Sequence, residues 1–472
     1  MTRITRRAFA PSLAGAMGAA KAAASRPNIV LILSDDHSYP FLGCYGDPVL
    51  RTPNFDRFAA SGLRCDNAFT TAPQCVPSRT SLLTGRSPIA ARMGRFNAPL
   101  PPDISTLPEW LRPLNYYTGI CRRQFHLDGT PVGPVSEELY RAMRTFDRRV
   151  DFLDRASPRA ETRSKLDAFF ERRPKDRPFF LWVNFDDPHH PWDRDALSPA
   201  HDPAKIPVPR YLPDLPGVRG DLARYYDEIG RMDEEFQWVL DALDRRGLAA
   251  NTLVLFMGDN GLAFPGGKGS LHDPGLHVPL LVRWPGVVKP GGVTRELISG
   301  EDIPVTLLAA AGGTAPKECT GRSFVPLLRG ESYRGRQYIF GERGTHSAPT
   351  VYDERTTAAG WDVSRCIRSQ RYKLIYNCTP HMRYEPVNSA REAYWKEMTA
   401  AHEAGRLPRE FETRYFNPKR PIIELYDLEK DPAELNNLAG RPETANIERE
   451  LKIALVKRIV ETWDFVPFPI RV

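Results

Sequence analysis

The sequence predicts an α/β protein: a large, central, mostly parallel sheet flanked by helices, followed by a smaller α+β domain with an antiparallel sheet. Three apolar runs carry this reading: Asn28-Ile29-Val30-Leu31-Ile32-Leu33, Pro178 to Phe185, and Thr252 to Met257. Each is continuous rather than alternating and rich in β-branched and aromatic residues, the pattern of a strand buried on both faces of a parallel sheet. Each also runs straight into polar residues: Ser34-Asp35-Asp36, Asp186-Asp187-Pro188-His189-His190 and Gly258-Asp259-Asn260-Gly261. In open α/β sheets ligands bind beyond the carboxyl ends of the strands, so three endings far apart in the chain are expected to converge on one site.

Between the second and third runs, Leu222, Tyr225, Tyr226, Ile229, Met232, Phe236, Val239, Leu240 and Leu243 recur at three- and four-residue steps from Asp221 to Arg246, with Gly247 as the stop. This predicts an amphipathic crossover helix whose aromatics are core packing. Beyond about residue 335 the runs shorten, with strands expected at Gln337–Phe340, Tyr372–Tyr376 and Ile422–Tyr426 and a helix from Thr444 to Trp463. The polar stretch Ser389–Arg414 reads as a helix-bearing insertion. The expected division is a leader over 1–25, a catalytic domain over 26–358 and a C-terminal subdomain over 359–472, consistent with a 472-residue chain.

Cys75-Val76-Pro77-Ser78-Arg79-Thr80-Ser81-Leu82-Leu83-Thr84-Gly85 reads as one short helix. Pro77 suits the first turn, Leu82 and Leu83 face a core, and Gly85 takes the left-handed position at the end. Cys75 then lies at the helix N-terminus beside Arg79, where positive potential favours an anion and lowers a thiol pKa.

Composition narrows the partners. Hydrophobic residues make up 41% and charged residues 26%, an ordinary globular balance, and 44 prolines point to many ordered loops. The net charge of +7 comes without any Lys/Arg-rich block, so no nucleic-acid partner is expected, and a mildly positive field suits an anionic substrate. No segment reaches the ~18 consecutive apolar residues of a membrane span. Thr5-Arg6-Arg7-Ala8-Phe9, an Ala/Gly-rich stretch and Ala22-Ala23-Ala24 resemble a twin-arginine export signal, implying the twin-arginine export machinery and a periplasmic or secreted location. The seven cysteines show neither a CxxC pair nor a zinc spacing.

Asp35 and Asp36 would repel one another unless a cation lies between them. With Asp259 and Asn260 they form an all-oxygen set that suits Ca²⁺ better than zinc, with Mg²⁺ as the alternative. His189 follows a strand, as a pocket residue does.

The run from Cys75 to Gly85 resembles the signature of type I sulfatases in the alkaline phosphatase superfamily, and the likeness extends over nearly everything after residue 26. The resemblance implies an alkaline phosphatase-like fold and oxidation of Cys75 to formylglycine by a formylglycine-generating enzyme. One hydroxyl of the hydrated aldehyde attacks sulfur and the other expels sulfate. It places the metal on Asp35, Asp36, Asp259, Asn260 and residue 75, with Arg79 beside the nucleophile. It also implies that His189 contacts the sulfate and protonates the leaving group, that Lys268 binds a sulfate oxygen, and that His126 assists release. Where relatives carry Gly-Lys-Trp-His-Leu-Gly, this chain has Arg123-Gln124-Phe125-His126-Leu127-Asp128, so the usual lysine falls on Gln124 and Arg122 or Arg123 is the available replacement charge.

Among subfamilies the chain is most similar to heparan N-sulfatase, on Asp259 to Lys268 and on Tyr372-Lys373-Leu374-Ile375-Tyr376-Asn377. This implies a sulfated saccharide substrate, N-sulfoglucosamine in particular, with His346 as a further substrate contact. Two other readings stand beside it. Formylglycine-dependent phosphonate monoester or phosphodiester hydrolases use a near-isosteric tetrahedral group, and an inactive sulfated-glycan binder would account for Gln124.

Overall fold

The computed structural model describes residues 26–94, 99–122, 145–154, 157–346 and 362–466. The stretch 1–25, expected to be an export signal, and the positions Arg123, Gln124 and His126 lie outside the described residues. Fourteen strands are described: β1 (Asn28–Ser34), β2 (Leu63–Cys65), β3 (Ala68–Phe69), β4 (Tyr117–Arg122), β5 (Phe152–Leu153), β6 (Phe179–Asn184), β7 (Thr252–Gly258), β8 (Leu280–Arg283), β9 (Gly292–Thr294), β10 (Ile298–Ser299), β11 (Ile339–Arg343), β12 (Ser364–Arg368), β13 (Tyr372–Asn377) and β14 (Ile423–Asp427).

The three apolar runs are β1, β6 and β7, every residue of which is buried. Their lack of alternation follows from having a hydrophobic layer on each face. They sit at the centre of an eight-stranded sheet of order β5-β4-β6-β1-β7-β8-β2-β9. β1 runs parallel to both β6 and β7, and only the pairings of β8 with β7 and β2 are antiparallel. Register brings the ends level, because Leu33 lies opposite Asn184 on one side and Met257 on the other. The polar residues that follow the three strands therefore emerge side by side at one edge.

The crossover helix spans Pro216–Asp244, starting ahead of the expected Asp221 because Pro216 opens its first turn behind an extended Leu215. Its aromatic stripe is core, as expected: Phe236 stacks on Phe55 at 4.1 Å between ring centroids, and Phe55 meets Phe256 of β7 at 4.5 Å.

The second sheet, β11-β12-β13-β14, is antiparallel throughout. β11 lies ahead of residue 358 and already pairs with β12. The helix Ala445–Glu461 covers this sheet with Leu451, Leu455 and Ile459 against Ile367, Leu374 and Leu425. The insertion carries the helix Ala393–Glu403, which turns back onto the crossover helix: Tyr394 N–H donates to Asp221 Oδ2 at 2.9 Å. All seven cysteines are free thiols. Among the described residues no helix is long and apolar enough to cross a membrane.

Cys75–Thr84 is a helix whose ten residues are all buried, and Gly85 ends it at φ 62° with its N–H on Ser81 O. A Cβ at Gly85 would stand 3.0 Å from Val305 Cγ2 and 3.1 Å from Cys319 Sγ. Gly85→Ala is therefore expected to cost about 1–2 kcal/mol from the left-handed backbone alone, seen as a lower urea midpoint at unchanged slope.

Candidate active site

The Cys75 helix runs beneath the level strand ends, and Arg79, one turn along from Cys75, reaches all three. Its Nε donates to Asp259 Oδ2 at 2.8 Å, one terminal nitrogen to Asp35 Oδ2 at 2.9 Å, and the other to Asn184 Oδ1 at 3.2 Å. Arg79, Asp35 and Asp259 are fully buried. The neighbouring carboxylates hold the guanidinium more firmly protonated than usual, despite a desolvation cost that is the largest single influence on it.

Adjacent residues of a strand point to opposite faces, so Asp35 and Asp36 meet only because the backbone turns. Asp36 adopts φ 61°, with its N–H on Asp259 Oδ1 at 3.0 Å. This left-handed conformation is costly for a residue with a Cβ and is kept where the surroundings hold it in place. Asp36 then accepts Asn260 Nδ2 at 2.8 Å and lies 2.8 Å from Lys268 Nζ. The Cys75 thiol donates to Asp35 Oδ1 at 3.3 Å and is 3.9 Å from Asp36 Oδ1.

His189 comes from the turn after β6, where its N–H bonds Asp186 O at 3.0 Å and brings Nε2 to 3.2 Å from Lys268 Nζ and 3.7 Å from Asp36. The Lys268 loop turns at Gly266 and Gly269, with φ 79° and 76°, and closes through the bonds of Lys268 N–H to Leu262 O at 2.7 Å and Gly269 N–H to Pro73 O at 2.8 Å. Burial works against the Lys268 charge, yet Asp36 holds its pKa above the ordinary value.

Ligand atoms of Asp35, Asp36, Cys75 and His189 lie within 4.8 Å of one another, an arrangement able to hold a metal ion. Two further observations fit a hard cation. Burial and the Asp35 carboxylate push Asp259 up to about 7, the mark of carboxylates short of positive charge. Asn260 Oδ1 is buried with no hydrogen-bond partner among the described residues. Three carboxylates and an amide oxygen are donors of the kind Ca²⁺ and Mg²⁺ take.

One expectation is corrected. Cys75 does lie at a helix N-terminus, but burial and then the Asp35 carboxylate push its thiol well above the ordinary range. Arg79 is paired with Asp35 and Asp259, and these carboxylates oppose a negative charge on the thiol. Arg122 is likewise engaged, its guanidinium held by Asp186 at 2.8 Å and Glu235 at 3.2 Å. His346 is buried with both ring nitrogens taken, by Gln74 Nε2 at 3.1 Å and Asn388 Oδ1 at 2.9 Å. Burial, then Lys268 and Arg343, push its pKa well below the usual value, so the ring is neutral. Gln74 and Asn388 were not singled out from the sequence. Gln74's place next to Cys75 was a signal, and Asn388, just ahead of the polar insertion, offered none.

A buried cysteine ringed by carboxylates at parallel strand ends, with a lysine and a histidine beside them, is a layout able to hold a metal ion. The chain matches the sequence profile of the sulfatase family over residues 27–313 and belongs to that family. Residues 267–399 match the profile described as N-sulphoglucosamine sulphohydrolase, C-terminal. The chain is similar to an ulvan-active sulfatase of Formosa agariphila, at 29% identity over 94% of this chain and 76% of the relative. It is also similar to the N-sulphoglucosamine sulphohydrolase of Homo sapiens, at 29% identity over 93% and 91%. A solved structure of a protein in complex with its substrate D-glucosamine-2-N,6-O-disulfate shares the fold, with TM-score 0.67, 19% identity and coverage of 94% and 99%. The resemblance read from the Cys75 motif is thus borne out at the level of family and fold.

Removing the Arg79 charge strands two buried carboxylates. In chelator, Arg79→Met is expected to lose about 3–5 kcal/mol of unfolding free energy, and Arg79→Lys, which keeps the charge without the fork, a smaller amount; chemical denaturation measures both.

Proposed function

We propose that this chain hydrolyses a sulfate ester or N-sulfate of a sulfated carbohydrate, with formylglycine at position 75 and a divalent cation, Ca²⁺ before Mg²⁺. The observation that carries it is the meeting of Cys75 with Asp35 and Asp36 on one side and with Lys268 and His189 across the same space. Asp35, Asp36, Asp259 and Asn260 would hold the cation, together with an oxygen on residue 75. The cation would neutralise the carboxylates and polarise the group under attack. Formylglycine supplies a gem-diol oxygen as nucleophile, which the buried thiol of unmodified Cys75 does not.

The protein's own groups account for the rest. Lys268 Nζ, a buried ammonium 2.8 Å from Asp36 and 3.2 Å from His189 Nε2, suits a sulfonyl oxygen as negative charge grows there. His189 Nε2, beside it, suits proton delivery to the departing oxygen or nitrogen. Arg79 keeps the carboxylates in place and, being buried behind them, acts on geometry. His126 and Gln124 stay with the roles expected of them from the motif.

A sugar of the N-sulfoglucosamine kind is favoured by the match of residues 267–399 and by the glucosamine disulfate bound in the structural relative. The Arg6-Arg7 leader supports twin-arginine export to the periplasm or beyond, with Cys75 modified by a formylglycine-generating enzyme beforehand.

Protein produced with such an enzyme is expected to carry an aldehyde at residue 75 by mass spectrometry and to release sulfate from a panel of sulfated sugars. Lys268→Met should lower kcat/KM by about 10²–10³-fold, and Cys75→Ala should abolish release. No release from any sugar by fully converted protein would reject the proposal. Chelation should stop turnover and added Ca²⁺ restore it, with Asn260→Ala raising the Ca²⁺ concentration needed; calcium titration by calorimetry reads the binding directly.

A further inference from the structure

Gln74 is the residue before Cys75, fully buried, with extended backbone at φ −152° and ψ 137°. It stands at the N-cap of the Cys75 helix but makes no side-chain cap bond, a duty for which Asn, Asp, Ser and Thr are better fitted. Its amide is turned elsewhere. Nε2 donates to Gly344 O at 3.3 Å and to His346 Nδ1 at 3.1 Å, and the His346 Nε2–H donates to Asn388 Oδ1 at 2.9 Å. A carbonyl oxygen only accepts, so Gly344 settles which end of the amide is nitrogen. The other end, Oε1, is left buried with no hydrogen-bond partner among the described residues.

A stranded acceptor of this kind costs about 1–3 kcal/mol and calls for a partner from outside. The surroundings say where. Pro73, the preceding residue, takes the N–H of Gly269 in the Lys268 loop at 2.8 Å, and Lys268 and His189 both act on the charge of His346. Gln74 therefore adjoins the nucleophile position in the chain, and its amide meets His346, on which the groups assigned to sulfate act. A sulfate group offers only acceptor oxygens, so an acceptor there serves something else.

We infer that Gln74 Oε1 accepts a hydrogen bond from the sugar, from the N–H or O–H beside the scissile sulfur, and so sets which sulfated sugars are turned over. His346 and Asn388 are positioning residues that hold the amide in this orientation. The inference rests on the sulfatase reading of the site.

The test compares the sulfated sugar that the wild type turns over best, the same sugar with its donor methylated, and 4-nitrophenyl sulfate, which has no donor. Rates are normalised to the aldehyde content of residue 75. Gln74→Met is expected to lower kcat/KM for the sugar by about tenfold or more relative to 4-nitrophenyl sulfate, since ~1.4 kcal/mol is one decade. Methylation should cost the wild type a similar factor and leave the variant indifferent. Equal losses on all substrates, or an undiminished methylation effect in the variant, would overturn the assignment of Gln74. Should the variant fail to fold, the wild type still decides, because insensitivity to methylation would overturn it too. Absence of turnover by fully converted wild type would instead remove the sulfatase reading, and this inference with it.

Discussion

One guanidinium holds this site together. Arg79 is rooted in the Cys75 helix and bonds the residues that close β1, β6 and β7, namely Asp35, Asn184 and Asp259. A buried cation bridging buried carboxylates is tolerated only when its fork is well matched on each arm. That requirement fixes the height of the helix against the sheet edge, and with it the position of Cys75.

The remaining charges are arranged around the same constraint. Asp36 leaves the strand through a left-handed turn and so joins Asp35 instead of pointing away from it. Lys268 answers Asp36 from a loop that bends at two glycines, and His189 arrives from the turn after β6. Burial and then Asp35 raise the pKa of Asp259, and Asn260 Oδ1 is buried without a partner among the described residues. On another side Asn388 holds His346, which in turn reaches Gln74. That side is made by two distant parts of the chain.

Much of this was legible in the sequence. Fully buried parallel strands announce themselves as unbroken apolar runs, and the polar residues after them named the carboxylates, His189 and Asn260. The crossover helix was clear from its period, and only its start was misplaced, at Asp221 instead of Pro216. β12 escaped notice because Ser364-Arg365-Cys366-Ile367-Arg368 reads as polar. Its arginines are buried in ion pairs to Asp464 and Asp273, partners far along the chain. The activated thiolate expected of Cys75 failed for the same reason: local sequence shows a helix N-terminus and a nearby arginine, but not the carboxylates that claim the arginine.

What the sequence determined by itself was therefore the identity and order of the parts: the strands, the Cys75 helix, the acids at the strand ends and the family to which the motif belongs. These depend on local periodicity and residue type, which the chain carries at short range. Only the tertiary structure decided which charges neutralise which, that Asp35 and Asp36 share one centre, and that Gln74 Oε1 is buried without a partner among the described residues. Those outcomes depend on distances between segments remote in sequence and on burial, and neither exists until the sheet edge, the helix and the C-terminal insertion have closed on one another.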